Sequence, residues 1–243
     1  MDATPDVVAV VLAGGLGTRL RPITYSVPKP LVEVDGKPFI HYLLVSLKKA
    51  GIRKCLLLTG YMHEKVEAYC KDGREWGLGI TYSPEKEQLG TGGAILNAAA
   101  KIRSTALVLN GDSLLGMDVG EFLAWHKKNK AWVTVYANRG ELEGRGAIVM
   151  GKGSRVAQFL EKQKKGDGIF NTGAYLIEPE ALDFLRKKMR GGELGTAFSM
   201  EREGFPLFVT QGTMHAYVGE GPFLDMGTHE TLAQAGTIVR LMK

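Results

Sequence analysis

A chain of 243 residues with 44% hydrophobic and 23% charged residues has the composition of an ordinary soluble globular protein, and is long enough for one large α/β domain. Its formal charge of +5 is modest and spread along the chain, which suits a small polyanion such as a nucleotide and argues against nucleic acid as the main partner. The apolar runs are too short to span a membrane, and an N-terminus with Asp2, Asp6 and no basic region does not read as a secretory signal, so a cytoplasmic protein with no membrane partner is expected.

The first element is the apolar run Val7 to Leu12, which reads as a strand. It leads into Gly14, Gly15 and Gly17, then Thr18, Arg19 and Arg21, and the stretch closes on Pro28-Lys29-Pro30. Asp35-Gly36 reads as a turn. Pro38 fits the first turn of a helix carrying Phe39, Ile40, Leu43, Leu44 and Leu47, and Gly51 stops it. Lys54 to Thr59 reads as a strand, Met62 to Lys71 as a helix and Gly79 to Ser83 as another strand. An alanine-rich helix opens at Gly92 or Gly93 and runs to about Lys101. Thr105 to Leu109 is a buried strand ending at Asn110-Gly111-Asp112, and a helix from about Val119 to Asn129 follows. Strands alternating with helices imply right-handed crossovers. The predicted fold class is therefore α/β: a single Rossmann-like domain with a mainly parallel central sheet flanked by helices.

Past Ala131 the elements shorten. Trp132 to Ala137, Gly146 to Met150, Arg155 to Leu160 and Ala174 to Ile177 read as strands, and Pro179 to Lys188 as a helix. Arg190 to Ala197 is a loop, Phe198 to Glu203 is helical, and Pro206 to Tyr217 holds two short strands. A last helix, Thr228 to Leu241, takes Thr228 as its N-cap with Glu230 in its first turn. With no internal repeat and no linker, residues 1–243 read as one domain, with a nucleotide-binding part to about 130 and a second part from about 131. Cys55 and Cys70, without a CxxC pattern, read as buried or incidental free thiols. Trp125, Trp132 and the histidines show no cofactor or metal spacing.

A strand running straight into a glycine-rich turn exposes backbone N–H groups to an anion at the carboxyl end of a sheet. A Walker loop requires GxxxxGK[ST], and no lysine followed by Ser or Thr stands here. A dinucleotide fingerprint requires a third glycine where this chain has Leu20. What remains is Gly14 to Arg19, a flexible loop joined to an obligate cation whose planar fork suits phosphate oxygens.

The string LAGGLGTRLRPIT…VPKPLVEVDGKPFI resembles the N-terminal signature of the sugar-1-phosphate nucleotidyltransferases, the nucleoside-diphosphate-sugar pyrophosphorylases. The resemblance implies a glycosyltransferase-A-like fold and assigns the nucleoside triphosphate to Leu12, Ala13, Gly14, Gly15, Gly17, Thr18 and Arg19, with Lys29 reaching the phosphates. It assigns the nucleobase to the LGTGG segment, Gly90 and Thr91, near Glu85; guanine presents N–H donors for which Glu85 or a backbone carbonyl is a suitable acceptor. Metal aspartates of the family lie in GD and DxGT segments, which are Asp112 and Asp225 here. Mg²⁺, which takes one or two carboxylates beside substrate phosphates, is the implied cofactor. The sugar and its phosphate fall to Gly146, Glu161, Lys162, Asn171, Thr172 and Gly173. Arg19, Lys29 and Asp112 are thus the catalytic candidates.

Such residues imply that a sugar 1-phosphate attacks the α-phosphorus of an NTP, with charge neutralisation rather than a strong base as the requirement. The run LGTGGAI…LVLNGDS…FLEK…NTGAYLI…FSMERE…FLDMGT most resembles the D-glycero-α-D-manno-heptose 1-phosphate guanylyltransferases, and mannose-1-phosphate guanylyltransferases share much of it. Uridylyl- or thymidylyltransferases of the family, and a non-catalytic nucleotide-sugar sensor, are the alternatives. The expected partners are small molecules, and the assembly a monomer or homodimer. Val32-Glu33 stands where the family often has proline, and Arg145 where it often has tyrosine before the Gly146 position.

Overall fold

The computed structural model describes residues 7–142, 144–160 and 166–241. In chain order its strands and helices are β1 (Val8–Ala13), β2 (Glu33–Val34), β3 (Lys37–Pro38), α1 (Phe39–Lys49), β4 (Lys54–Thr59), α2 (His63–Cys70), β5 (Gly79–Pro84), α3 (Gly90–Asn97), β6 (Ala106–Asn110), β7 (Ser113–Leu115) and α4 (Val119–Asn129). They continue with β8 (Val133–Glu141), β9 (Ala147–Met150), β10 (Val156–Leu160), β11 (Asp167–Ile177), α5 (Pro179–Arg190), α6 (Phe205–Gln211), β12 (Met214–Gly219), β13 (Phe223–Asp225) and α7 (His229–Leu241).

These elements fall into two compact units, and neither is one continuous stretch. The first takes the described residues up to 88, then 109–116 and 222–241; the second takes 89–108 and the described residues of 117–221. The first and the last described residues both belong to the first unit.

The α/β class is borne out in the first unit. Strand β1 pairs in parallel with β4, from Ala9 opposite Cys55 to Ala13 opposite Thr59, and β4 pairs in parallel with β5. Parallel strands joined by helical crossovers are covered on both faces, so they read as unbroken apolar runs. Ala9, Val10, Val11, Leu56, Leu57 and Leu58 are accordingly buried. Helix α1 buries Phe39, Ile40, Leu43, Leu44 and Leu47, places Lys48 and Lys49 in its last turn and ends before Gly51 at φ +79°. Cys55 and Cys70 are buried free thiols, and burial holds both well above the ordinary thiol range.

The second unit is a mixed sheet. Strand β11 pairs antiparallel with β8 and β9, β10 pairs antiparallel with β9, and β12 pairs in parallel with β8. Helix α4 is capped by Asp118, whose Oδ1 accepts from Glu121 N at 2.9 Å. The expectation of two strands over Pro206 to Tyr217 fails for its first half. Pro206 sits in the first turn of α6, Phe205 and Phe208 bury one face, and Gly212 at φ +72° stops the helix before β12. Helical structure between Phe198 and Glu203 is confined to a wide π-type turn over Met200–Gly204. Among the described residues no helix is long and apolar enough to cross a membrane.

Candidate active site

In the first unit, Leu12 and Ala13 end β1, and the glycine loop begins where β1 and β4 both present their carboxyl ends. Gly14 lies close against Glu85 and Gly60. A methyl group added there would lie 2.9 Å from Glu85 Oε1 and 3.3 Å from Gly60 N, and Tyr61 N donates to Gly14 O at 3.1 Å. Glu85 itself is placed by its N–H on Thr59 O at 2.7 Å, just past β5. No atom lies within 4 Å of a methyl group added at Gly15. Gly17 has φ +64°, and the Thr24 hydroxyl donates to its carbonyl at 2.9 Å, while Leu20 N closes a tight turn onto the same oxygen. Leu20 anchors that turn in the core and leaves Thr18 and Arg19 exposed.

Two other segments of the unit reach this loop. Pro28 and Pro30 flank Lys29, whose Nζ forms an ion pair with Asp112 Oδ2; the side chains are 12% and 25% exposed. Asp112 stands beyond the end of β6, where Gly111 N donates to Leu12 O at 2.9 Å, and a methyl group at Gly111 would meet that oxygen at 2.5 Å. Strands β7 and β13 pair antiparallel with Asp225 opposite Ser113, and Met226 N donates to Asp112 O at 2.8 Å. The two aspartates are therefore neighbours by backbone pairing. A methyl group at Gly227 would lie 3.0 Å from both terminal nitrogens of Arg19 and 3.0 Å from Asp225 Oδ1. Gly14, Gly15, Gly17, Thr18, Arg19, Lys29, Glu85, Asp112 and Asp225 thus belong to one unit, with Thr24, Gly60 and Gly227 as packing residues that sequence reasoning missed.

Asp112 and Asp225, brought close along the backbone, carry hard oxygen donors of the kind Mg²⁺ takes, and Arg19 and Lys29 supply cations in the same unit. Among the described residues no group of three or more His, Cys, Asp or Glu side chains forms a metal cage. This donor set fits an ion that completes its shell with water and substrate phosphate.

The remaining candidates lie in the second unit. Gly90, at φ +68°, and Thr91 open α3, and the Thr91 hydroxyl is engaged by Glu201 and by Met200 N. Gly146, Asn171, Thr172 and Gly173 come together across β9 and β11. Asn171 N donates to Gly146 O at 2.8 Å, Asn171 Nδ2 to the Tyr175 hydroxyl at 2.7 Å, and Gly173 N to Asn171 Oδ1 at 2.9 Å. The carboxamide is thereby fixed, with one N–H and one lone pair left over. The Thr172 hydroxyl donates to Tyr136 O at 2.7 Å, and the residue is buried. Glu161 and Lys162 lie outside the described residues. Arg145 stacks its guanidinium 4.3 Å from the Phe170 ring centroid.

Comparison with known proteins adds to this geometry. Residues 8–240 match the nucleotidyl transferase family model. A mannose-1-phosphate guanylyltransferase of Mycobacterium tuberculosis is 40% identical over 94% of this chain, which spans 63% of that relative's length. The D-glycero-alpha-D-manno-heptose 1-phosphate guanylyltransferase of Aneurinibacillus thermoaerophilus is 33% identical, with 93% of this chain and 96% of the relative covered. The structure of HddC from Yersinia pseudotuberculosis complexed with GMP-PN superposes with a TM-score of 0.82 at 28% identity, covering 95% of this chain and 98% of that one.

Proposed function

Because the chain belongs to the nucleotidyl transferase family, we propose that it joins a sugar 1-phosphate to GTP, releasing pyrophosphate and giving a GDP-sugar, with D-glycero-α-D-manno-heptose 1-phosphate as the sugar substrate. The observation that carries the reading is the convergence of Lys29, Asp112, Asp225 and Arg19 beside the Gly14–Gly17 loop. A phosphate-binding turn alone would hold a nucleotide; a turn with two cations and two carboxylates suits a phosphorus centre under attack.

An oxygen of the sugar phosphate forms a bond to the α-phosphorus as the bond from that phosphorus to the bridging oxygen of pyrophosphate breaks. The nucleophile is already anionic, so no side chain has to remove a proton. The obstacle is repulsion between two anions, and positioned charge lowers it. The backbone N–H groups of the loop and the Arg19 guanidinium bind triphosphate oxygens. Lys29, held between two prolines, loses little further freedom when it engages them. Asp112 and Asp225 would hold Mg²⁺, which when bound supplies neutralising charge to the phosphates and the departing pyrophosphate. Asn171 and the Gly146 backbone orient sugar hydroxyls, and Glu85 accepts from the guanine edge.

The heptose assignment is supported by the 33% identity to the Aneurinibacillus heptose relative and by the 36% identity, over 170 residues, to that of Campylobacter jejuni. Mannose 1-phosphate is the second reading, favoured by the 40% identity to the mycobacterial mannose relative. The test is a matrix of GTP, ATP, CTP, UTP and dTTP against heptose, mannose and glucose 1-phosphates with Mg²⁺, read by pyrophosphate release. The GTP and heptose pair is expected to give the highest kcat/KM. A preference for mannose 1-phosphate would establish the second reading, and no release from any pair would sink both.

A further inference from the structure

The segment Phe198–Glu203 is bolted to Leu89–Gly93 by side chains and backbone together. Phe198 N donates to Leu89 O at 2.9 Å, and its carbonyl accepts from Gly92 N and Gly93 N at 3.0 and 3.3 Å. Gly90, Gly92 and Gly93 are glycines for this contact. A methyl group at Gly90 would lie 2.6 Å from Phe198 O, one at Gly93 would lie 2.5 Å from Thr196 O, and one at Gly92 would enter the Phe198 ring.

At the centre is Glu201. Its Oε2 accepts from the Thr91 hydroxyl at 2.6 Å and from the Ser199 hydroxyl at 2.9 Å, while Met200 N donates to Thr91 Oγ1 at 2.8 Å. A threonine hydroxyl has one proton to give. That of Thr91 goes to Glu201, so it cannot also be donated to a bound base. The wide turn over Met200–Gly204 aims Glu201 at Thr91, and Glu203 closes the turn by accepting from Ser199 N at 2.8 Å.

We propose that Glu201 is a positioning residue for nucleotide selection: through the Thr91 hydroxyl it fixes the backbone of Leu89–Gly93 that faces the nucleobase. The inference rests on the reading of that loop as the base-binding segment. Both hydroxyls converge on one oxygen of Glu201, so the device needs an acceptor and not a charge.

Substitution of Glu201 tests it. Glu201→Ala is expected to raise the KM for GTP about tenfold or more, the usual effect of losing hydrogen bonds to a charged acceptor. The KM for the sugar 1-phosphate is expected to stay unchanged, and the preference for GTP over ATP to narrow by a similar factor. Glu201→Gln, whose amide oxygen accepts from both hydroxyls, is expected to restore the GTP value. Thr91→Val, which keeps shape and loses the hydroxyl, is expected to reproduce Glu201→Ala and serves in its place if that variant does not fold. An unchanged KM for GTP and unchanged base preference in Glu201→Ala or Thr91→Val would overturn the proposal. So would equal rises in both KM values, and so would failure of Glu201→Gln to rescue. GTP affinity is read in parallel by titration calorimetry without sugar phosphate. If the wild type binds GTP yet releases no pyrophosphate, the transferase reading fails while the dissociation constants still decide the role of Glu201.

Discussion

Lys29 Nζ rests on Asp112 Oδ2, an ion pair between residues 83 positions apart. The lysine assigned to the triphosphate is thus in contact with the carboxylate assigned to the metal. Removing the lysine leaves a partly buried carboxylate without this partner, and removing the carboxylate strands the lysine. Lys29→Met and Asp112→Asn are each expected to lower turnover by about 10²–10³-fold, the usual effect of deleting one charge stabiliser. Far-UV circular dichroism should be unchanged. Pyrophosphate release at saturating substrates is the measurement, and wild-type-like turnover in either variant would remove the pair from the chemistry.

Gly14 and Gly17 should separate binding from folding. The added methyl of Gly14→Ala meets Glu85 Oε1 at 2.9 Å, so Glu85 must move, and the expected result is a raised KM for GTP with little change in Tm. Gly17 carries φ +64°, and Gly17→Ala also presses on Thr24 and Lys29. It is expected to cost about 1–2 kcal/mol in stability from the left-handed backbone alone, read by urea denaturation. The reverse ordering of the two effects would contradict this division.

Asn171 carries the sugar-side prediction. Its carboxamide is oriented by Gly173 N and the Tyr175 hydroxyl, so Asn171→Ala removes an aimed donor and acceptor. The KM for the sugar 1-phosphate is expected to rise roughly tenfold, as for one or two lost hydrogen bonds, with the KM for GTP unaffected. Initial rates with each substrate varied in turn decide it.

Acid should destabilise the second unit in two stages. Burial, with Arg155 and His126 nearby, holds the His215 imidazole below its ordinary value. A depressed histidine contributes stability that is complete above its unfolded pKa of about 6.5 and is lost as pH falls through the lower folded value. Glu178 is held below the ordinary carboxylate range by its hydrogen bond to His126 Nε2 at 2.9 Å, aided by the Thr105 hydroxyl, against an opposing effect of burial. Its contribution is complete above about 4.3 and drains away below that. Tm measured from pH 8 to 4 should therefore fall first below about 6.5. That first fall should be absent in His215→Gln, and a profile identical to wild type would refute the assignment.

The strands of the first unit were legible because a strand buried on both faces is an unbroken apolar run, as in Val8–Ala13 and Lys54–Thr59. Helix α6 was not, because Phe-Val-Thr after Pro206 has β-branched character, and only tertiary packing of Phe205 and Phe208 makes it helical. The β7–β13 pair is three residues on each side, too short for any period to register. The neighbouring placement of Asp112 and Asp225 was anticipated through motif resemblance, not from pattern. The Thr91–Glu201 contact joins residues 110 positions apart by side chains alone and leaves no local trace.

Strand β13 has a consequence for dissecting the molecule. Asp225 reaches Asp112 only because residues 222–241 return to the unit that residues 7–88 began. A fragment ending near residue 130 would contain the glycine loop, Lys29 and Asp112, and would still leave β7 with no strand beside it. Such a fragment is expected to expose the edge of β7 and to lose one of its two carboxylates at a stroke. Splitting this protein between its units would therefore take cuts at several places, followed by reconnection of the pieces.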